Sequence, residues 1–559
     1  MKRRNFLKLS ATASAIGLLP LEIKAILKTA NLSSCDIANR KLVLINLAGG
    51  NDGLNTIIPI NEYDAYANLR PSLKIPNSGI NSFITLDSTL PENQLIGLHP
   101  ALTGFKDLYD EGRMRILQSV GYPSQNKSHF ASTDIYSTGN DGNSWDNGND
   151  SGWIGRFMER YYINELTNSY PLGVQIGSNK TSLGFHGETE HGLAINISGQ
   201  DPAGFYSELS GLGGDAPTNI PDSDYGLELQ YIAETDQLSN QYSQAISNAF
   251  NTGSNANSYA DSDLSNQLKT VAKLISGGLE TKVYIVRISG FDTHDNQSQS
   301  VGSIEGKHND LLTEVSEAIE SFVDDLDQQG LADDVVGLTF SEFGRKAKEN
   351  GSLGTDHGEI APMFVFGNPV NGGVSGTNVD LSEATDDNNY QLKTVQFDYR
   401  QTLGTLLQNF LGADDTVIDS AFFNFSTDQS FANLKINELI KDSFSVDEEC
   451  YGQTLEIDKF NAQGALKEWI VFPNPVREIL QVHSEKEFAT VSYRVFNNQS
   501  QTVLNGTHQL INGTLTVNTQ NLTPGIYFIQ IISNDKNETH MCRKRRKSRR
   551  LTRYRFCNG

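Results

Sequence analysis

Acidic and imidazole side chains follow a buried apolar segment in the middle of the chain. Residues 283–288 form a short run of apolar, mostly β-branched side chains, which predicts a strand covered on both faces, as in a parallel sheet. Asp292 and His294 come shortly after this run, two residues apart. A carboxylate and an imidazole on one tight loop supply half of a site for a divalent metal ion. The alternative is a polar turn in which Asp292 caps the loop and His294 lies on the surface.

Further acidic and histidine residues lie beside other predicted strands, at residues 42–47, 335–340 and 363–366. In an open α/β sheet the carboxyl ends of parallel strands share one edge, and ligands bind there. Each of these residues could also serve an ordinary turn. Their convergence at one edge predicts a divalent metal site, with zinc as the expected ion and calcium or magnesium as alternatives. The candidate ligands are Asp52, Asp292, His294, Glu342, Asp356 and His357.

Three residues near these loops are candidates for catalysis. Ser128 and His129 lie in a polar loop after the predicted strand 114–120, where they could act as a nucleophile and a ligand. Arg345 follows Glu342 closely and could pair with that carboxylate or hold an anionic group of a substrate.

The elements that must position these residues alternate between strands and helices. Helical spacing of apolar residues predicts helices at 99–113, 264–279 and 303–328, between the predicted strands. A further amphipathic helix is predicted at 227–250, in an otherwise polar region. This alternation predicts an α/β domain over residues 40–445, with a mostly parallel central sheet flanked by helices.

Composition excludes several classes of protein. The 559 residues include 67 acidic and 44 basic side chains, and the resulting net charge of −23 argues against a nucleic-acid partner. The four cysteines show no metal-like spacing, so neither a disulfide framework nor a cysteine zinc site is expected. No segment of the mature chain approaches the roughly 20 apolar residues of a transmembrane helix.

The first 30 residues are expected to be a processing segment. Lys2-Arg3-Arg4-Asn5-Phe6-Leu7-Lys8 precedes a mildly apolar stretch, and this pattern resembles twin-arginine export signals. The resemblance implies that the folded protein is a substrate of the twin-arginine translocase.

The C-terminal region has a different pattern. Residues 446–467 turn polar, as in a linker, and short alternating strands over 468–541 predict a small β-sandwich. Two of its segments, FPNPV and LTPGIYFIQI, resemble the sorting domains of type nine secretion cargo. This resemblance implies passage through the periplasm to the cell surface or the medium. Residues 542–559 are strongly basic, and their abrupt change of composition indicates an unstructured or frameshifted tail.

The ordered motifs of the main domain also carry a resemblance. LVLINLAGGNDGLNT, SHFASTDIYSTG, GFDTHDNQ, SEFGR and GTDHG resemble a family of secreted bacterial proteins of unknown function, which is grouped with the alkaline phosphatase and sulfatase superfamily. The resemblance covers about residues 40–430 and implies an alkaline phosphatase-like fold with metals at the carboxyl edge of the sheet.

Carried over residue by residue, the resemblance implies roles for the candidate ligands. Asp52 matches the first metal-binding Asp, and Asp292 with His294 matches the middle pair. Glu342 stands where a later Asp-His pair is expected, with His357 as the closing His, or else Asp356-His357 is itself that pair. The loop 123–129 is similar to a nucleophile loop, but Asn126 occupies the position of the reactive Thr.

Ser128 or Ser124 could therefore serve as nucleophile with a register shift, or water activated by the metal could take that role. The first hypothesis is an exported metal-dependent hydrolase of phosphate or sulfate esters, with an anionic small molecule or a glycan ester as substrate. The second is a non-catalytic cell-surface or glycan-binding protein that keeps the hydrolase fold.

Overall fold

The computed structural model describes two compact units, which divide after Thr454. In the first unit the described residues are 37–143, 151–203 and 239–452, apart from 167, 179–181, 189–192, 199–201 and 424–434. In the second unit they are 470–544, apart from 473–475, 477–478, 484–490, 498–501, 509–513, 524 and 534–535. The predicted signal segment 1–30, and most of the predicted linker and basic tail, lie outside these ranges.

The described strands of the first unit include those predicted from its apolar segments. They are β1 (Lys41–Ala48), β2 (Ile57–Pro59), β3 (Ile84–Thr85), β4 (Ile96–Leu98), β5 (Met114–Gly121), β6 (Gly173–Gln175), β7 (Ala194–Asn196), β8 (Val283–Ser289), β9 (Val335–Phe340), β10 (Arg345–Glu349), β11 (Thr355–His357), β12 (Ala361–Phe366), β13 (Gly373–Ser375) and β14 (Phe397–Asp398).

Nine of these strands form one sheet in the order β13-β5-β12-β9-β1-β8-β6-β7, with β14 also paired to β5. All the pairings are parallel except those of β12, which runs antiparallel to both β5 and β9. The predicted mostly parallel α/β fold is therefore confirmed. Strands β1 and β5 run in the same direction, but β9 and β12 lie between them, so they are not neighbours as in a simple βαβ unit.

Helices cover both faces of this sheet. They are α1 (Gly53–Thr56), α2 (Tyr63–Leu69), α3 (Thr103–Asp110), α4 (His129–Thr138), α5 (Trp153–Tyr161), α6 (Asp263–Ser276), α7 (Lys307–Gln328), α8 (Tyr399–Asn409) and α9 (Asp415–Ala421). Residues 239–252 are also helical, whereas the rest of the helix predicted at 227–250 lies outside the described residues. Within the described ranges, no helix combines the length and apolarity needed to cross a bilayer.

Strand β1 shows why the sheet is buried on both sides. Leu42 and Leu44 pack into one core with α4, α5, α8 and α9, while Val43, Ile45 and Leu47 pack into a second core with α3, α6 and α7. Successive side chains of a strand point to opposite faces, so a continuous apolar run satisfies both cores.

The second unit consists of two antiparallel sheets around one apolar core. Its strands are β15 (Ile470–Phe472), β16 (Ile479–His483), β17 (Val491–Asn497), β18 (Thr502–His508), β19 (Thr514–Asn518), β20 (Gly525–Ser533) and β21 (Lys536–Lys544). The β-sandwich is thus observed, with two strands that the sequence pattern does not predict, β18 and β21. The last strand runs to Lys544, three residues into the segment interpreted from sequence as a tail, and pairs along its length with β20.

A close backbone approach joins β1 to the loop after β8. Gly49 has a φ of +125°, and a Cβ atom placed on it would lie 2.2 Å from the backbone nitrogen of Asp292. Only glycine allows both this conformation and this separation. The loops that follow the two central parallel strands can therefore meet directly.

We expect Gly49→Ala to lower the free energy of unfolding by at least about 3 kcal/mol, because backbone strain and a backbone clash add together. Gly278→Ala is the matched control, since Gly278 also has a positive φ (+83°) but open space around the added methyl group. We expect Gly278→Ala to lower the free energy of unfolding by only about 1 kcal/mol. Urea denaturation of the full chain measures both, and equal losses in the two variants would contradict the close approach.

Candidate metal centre

Five segments bring functional side chains to one edge of the large sheet. The loops after β1, β8 and β9 leave the carboxyl ends of neighbouring parallel strands. Because β12 is antiparallel, its amino end lies at that same edge, and the small β10-β11 sheet that precedes it brings Asp356 and His357 there. His129 is the first residue of α4, which follows β5.

Three residues of this edge could together hold a metal ion. One ligand atom each from His129, Asp292 and His357 lie within 4.8 Å of one another. Asp292 is the centre of this group, since its Oδ1 is 3.4 Å from Nε2 of His357 and its Oδ2 is 3.5 Å from Nε2 of His129. His294 adjoins them, with its Nε2 3.3 Å from Asp292 Oδ1 and 2.9 Å from Nε2 of His357.

The Nδ1 atom of each of these three histidines lies close to an oxygen atom. Nδ1 of His129 is 2.8 Å from Glu342 Oε1, and Nδ1 of His294 is 3.3 Å from Asp356 Oδ1. Nδ1 of His357 lies 2.8 Å from the backbone carbonyl oxygen of Lys127. Glu342 Oε1 also accepts a hydrogen bond from the backbone N–H of Gly49 at 2.8 Å. Glu342 and Asp356, predicted as ligands, therefore contact the far side of two histidines.

Arg345 joins these loops through hydrogen bonds from its side chain. Its buried guanidinium donates to Asp292 Oδ1 at 2.7 Å and to the carbonyl oxygens of Gly49, Gly50, Phe291 and Thr355. The side chain is completely inaccessible to solvent, whereas the Asp292 side chain is 48% exposed. A guanidinium so enclosed positions the loops and Asp292, and this placement does not fit the predicted role of holding a substrate anion.

The surroundings of Asp292, His129 and His357 shift the pKa values of all three side chains. Burial alone would raise the pKa of Asp292, but the hydrogen bond and charge of Arg345 outweigh it and hold that pKa below its ordinary value. The hydrogen bond that His129 donates to the Glu342 carboxylate raises the pKa of His129. Burial lowers the pKa of His357.

An aromatic ring also packs against two of these histidines. The ring centroid of Phe343, to which the sequence analysis assigns no role, lies 4.8 Å from that of His129 and 4.6 Å from that of His357.

Asp52 lies apart from this group, in the protein interior. Its Oδ2 accepts a hydrogen bond from Arg70 at 2.6 Å and another from Gln297, and both ionic side chains are fully buried. Its Oδ1 accepts no hydrogen bond from the described residues. Burial would raise the pKa of Asp52, but the charge of Arg70 and these hydrogen bonds hold it below its ordinary value. The predicted ligand Asp52 is thus the partner of a guanidinium.

Ser128, the candidate nucleophile, is exposed at the N-cap of α4, and its backbone N–H donates to Asn126 Oδ1 at 2.8 Å. The neighbouring His129, predicted as a ligand, bonds Glu342 through Nδ1 and makes no hydrogen bond to the Ser128 hydroxyl in the described structure. Sequence reasoning missed Arg70, because a single arginine in a polar region carries no pattern that reveals its partner.

A buried layer of polar groups lies next to Asp52. His308, on the first turn of α7, is 3.1 Å from Asn51 Oδ1 through Nε2, and its ring packs edge-on against that of His99. His308 is therefore buried and held by a contact within the protein. Burial lowers the pKa of His99 to about 3 and that of His308 to about 4, so both stay neutral in the folded protein.

Arg70→Met should lower the free energy of unfolding by about 3–5 kcal/mol, because it leaves the buried carboxylate of Asp52 without a counter-charge. The control is Arg160→Met, since Arg160 faces Glu188 at 3.9 Å with both side chains more than a third exposed. An exposed pair of this kind contributes about 1 kcal/mol or less. Urea denaturation at neutral pH compares the variants, and similar losses would contradict a buried Asp52–Arg70 pair.

The stability of the fold should fall as the pH drops from about 6.5 towards 4. An unfolded chain protonates its histidines below about pH 6.5, whereas the folded protein keeps His99 and His308 neutral. Each of these histidines then adds a slope of about 1.4 kcal/mol per pH unit. Denaturation of His308→Gln between pH 4 and 6 should show a slope smaller by that amount, and an unchanged slope would be evidence against a neutral, buried His308.

Distant similarities exist among solved structures. A protein in the alkaline phosphatase superfamily from Vibrio parahaemolyticus is 8% identical, with 89% of this chain and 78% of that chain covered at a TM-score of 0.30. The PsFucS1 sulfatase from Pseudoalteromonas sp. is 12% identical, with 89% and 87% covered at a TM-score of 0.31. Both TM-scores are low, so we draw no functional conclusion from them. A search of curated proteins finds no match to this sequence.

Two family models match the sequence directly. The model of a secretion system C-terminal sorting domain matches residues 470–543, which indicates secretion or display at the cell surface through the type nine system. The model described as a protein of unknown function, DUF1501, matches residues 39–414. Since this second match spans more than half of the chain, the protein belongs to the DUF1501 family.

Proposed function

We propose that this protein is an exported metal-dependent hydrolase of phosphate or sulfate esters. The observation that supports this proposal is the convergence of Asp292 with the Nε2 atoms of His129 and His357 at the exposed carboxyl edge of the sheet. Carboxylate and imidazole ligands suit zinc and similar divalent ions. When bound, such an ion supplies Lewis acidity, which polarises an ester oxygen and favours attack by water.

The chain's own residues would give this site its orientation. Arg345 keeps Asp292 ionised and directed at the three imidazoles. Phe343 packs beside His129 and His357 and restricts the movement of their rings. With Asp292 and His294 about half exposed, an anionic ester group can reach the edge from solvent.

Water is the nucleophile that best suits this arrangement. In the described part of the chain, Ser128 Oγ makes no hydrogen bond that would prepare it for attack, and Asn126 has no nucleophilic atom. A route through metal-activated water needs neither residue. The same observation favours the second candidate function, a non-catalytic surface or glycan-binding protein that retains the ion-binding edge.

For localisation, we propose export through the twin-arginine translocase into the periplasm, followed by type nine secretion. The match at residues 470–543 supports the second step. The arginine pair at positions 3 and 4 supports the first step. Because the twin-arginine translocase carries folded proteins, an ion could be bound before export. Cys450 is disulfide-bonded, which suits an oxidising compartment outside the cytosol.

Turnover of 4-nitrophenyl phosphate, bis(4-nitrophenyl) phosphate and 4-nitrophenyl sulfate tests the proposed reaction. We expect the full chain to hydrolyse at least one of these esters, and to lose that activity after treatment with a chelator. The double variant Asp292→Ala/His357→Ala should lose turnover by at least about 10³-fold, because both side chains would hold the ion.

Asp295→Ala is the matched control, since Asp295 is an exposed acid on the same loop whose partner is Lys307 at 3.5 Å. This variant should keep full turnover. Activity that survives in the double variant would reject the mechanism. An ion-loaded wild-type chain that hydrolyses none of the esters would favour the non-catalytic alternative.

A further inference from the structure

We propose that a single ion is bound by four side chains, through the carboxylate of Asp292 and the Nε2 atoms of His129, His294 and His357. We further propose that Glu342 and Asp356 are positioning residues, which hold two of the histidines in the required tautomer. This inference rests on the proposed function only in that an ion occupies the site. It extends the group of three residues by His294 and removes Asp52, Glu342 and Asp356 from the ligands.

The separations between Asp292 and the three imidazoles lie near those of a tetrahedral site. Zinc–nitrogen and zinc–oxygen bonds of about 2.0–2.1 Å place neighbouring ligand atoms about 3.3–3.4 Å apart in a tetrahedron. Asp292 Oδ1 is 3.3 Å from Nε2 of His294 and 3.4 Å from Nε2 of His357, and the other carboxylate oxygen, Oδ2, is 3.5 Å from Nε2 of His129. The two nitrogens of His294 and His357 are closer, at 2.9 Å.

The imidazole of His129 turns its second nitrogen towards Asp292. Its Nδ1 lies 2.8 Å from Glu342 Oε1, so Nε2 is directed away from Glu342. That Nε2 atom is buried, has no hydrogen-bond partner among the described residues and lies 3.5 Å from Asp292 Oδ2. An imidazole nitrogen without a hydrogen-bond partner, beside a carboxylate oxygen, is suited to bind a metal ion together with that oxygen.

The contact between His294 and His357 points to the same place. Nδ1 of His357 lies 2.8 Å from the carbonyl oxygen of Lys127, and Nδ1 of His294 lies 3.3 Å from Asp356 Oδ1. Each ring therefore directs its Nε2 atom away from these oxygens. The two Nε2 atoms face each other at 2.9 Å, where one ion could bind to both.

The resulting donor set predicts the class of metal. Three imidazole nitrogens and one carboxylate oxygen suit zinc and the neighbouring transition metals, whereas calcium and magnesium prefer six or more oxygen ligands. Metal-binding histidines commonly donate their other ring N–H to an oxygen atom, and removal of that hydrogen-bond partner typically lowers metal affinity by about 10–100-fold. Glu342 and Asp356 have this relation to His129 and His294.

The same geometry argues for one ion rather than two. Asp52 is the further carboxylate that the motifs associate with a metal, and its Oδ2 is bound by the buried guanidinium of Arg70 and by Gln297. A guanidinium already neutralises this carboxylate, so a second divalent ion there would add charge to a buried pair.

Metal analysis of the full chain tests the inference without reference to turnover. The protein is stripped with a chelator and reloaded with Zn²⁺ or Co²⁺ alone. We expect one ion per chain, a Zn²⁺ affinity far above that for Ca²⁺ or Mg²⁺, and a Co²⁺ absorption spectrum of the intense tetrahedral type. Two ions per chain, or a weak spectrum typical of six-coordinate Co²⁺, would overturn the proposal.

Variants then separate ligands from positioning residues. His294→Ala should lower Zn²⁺ affinity and change the Co²⁺ spectrum, because a ligand is lost. Glu342→Leu should lower affinity by about 10–100-fold with a tetrahedral spectrum retained. Glu342→Gln should lose less, since its amide oxygen still accepts from Nδ1 of His129, and this variant also guards against misfolding of Glu342→Leu.

Glu359→Gln is the matched control, because Glu359 bonds the Lys127 side chain at 3.0 Å and its carboxylate contacts no histidine in the described structure. Its Zn²⁺ affinity should equal that of the wild type. Wild-type affinity in both His294→Ala and Glu342→Leu would overturn this inference and leave ester hydrolysis possible with three ligands. The expected metal binding without any ester turnover would reject the hydrolase and leave this inference standing.

Discussion

The Arg345 guanidinium is the interaction on which the candidate site depends. It bonds carbonyl oxygens from the loop after β1, the loop after β8 and the β11 strand, and it also bonds the carboxylate of Asp292. Carbonyl groups at loop turns need donors once they are buried, and one planar group with five N–H donors satisfies several of them at once. The position of Asp292 is therefore set by the same group that closes the loops.

The sheet topology explains how distant segments share this group. In the described part of the large sheet, eight strands run in one direction and end at the same edge, and the antiparallel strand β12 begins there. Four of the eight, β1, β5, β8 and β9, lead into the segments of the site. His357 is the last residue of β11 and lies shortly before the amino end of β12. Asp292 lies in the loop that follows the carboxyl end of β8. A purely parallel sheet would place the start of the last strand at the far edge, away from the other loops. One reversed strand thus completes the site.

The chain uses its carboxylates in three ways that differ in burial and partner. Asp292 is half exposed and faces imidazoles, so it is available to an ion. Glu342 is buried behind His129 and bonds both that ring and Gly49. Asp52 is fully buried against Arg70. All three lie two to four residues after the end of a β-strand, and their local sequences do not distinguish them. The difference arises from which cation or donor the fold brings to each one.

Apolar patterning was enough to predict the central strands and the sheet edge at which the candidate ligands follow them. Continuous apolar runs such as residues 335–340 coincide with observed strands, because a strand buried on both faces needs apolar residues at every position. The β-sandwich pattern and the position of Asp292 and His294 after β8 were likewise available from the sequence. The antiparallel direction of β12, the pairing of Asp52 with Arg70, and the contacts of Glu342 and Asp356 with His129 and His294 became visible only in the folded chain. These outcomes depend on partners 18 to 213 residues away, and no local pattern encodes which of several carboxylates such a partner will reach.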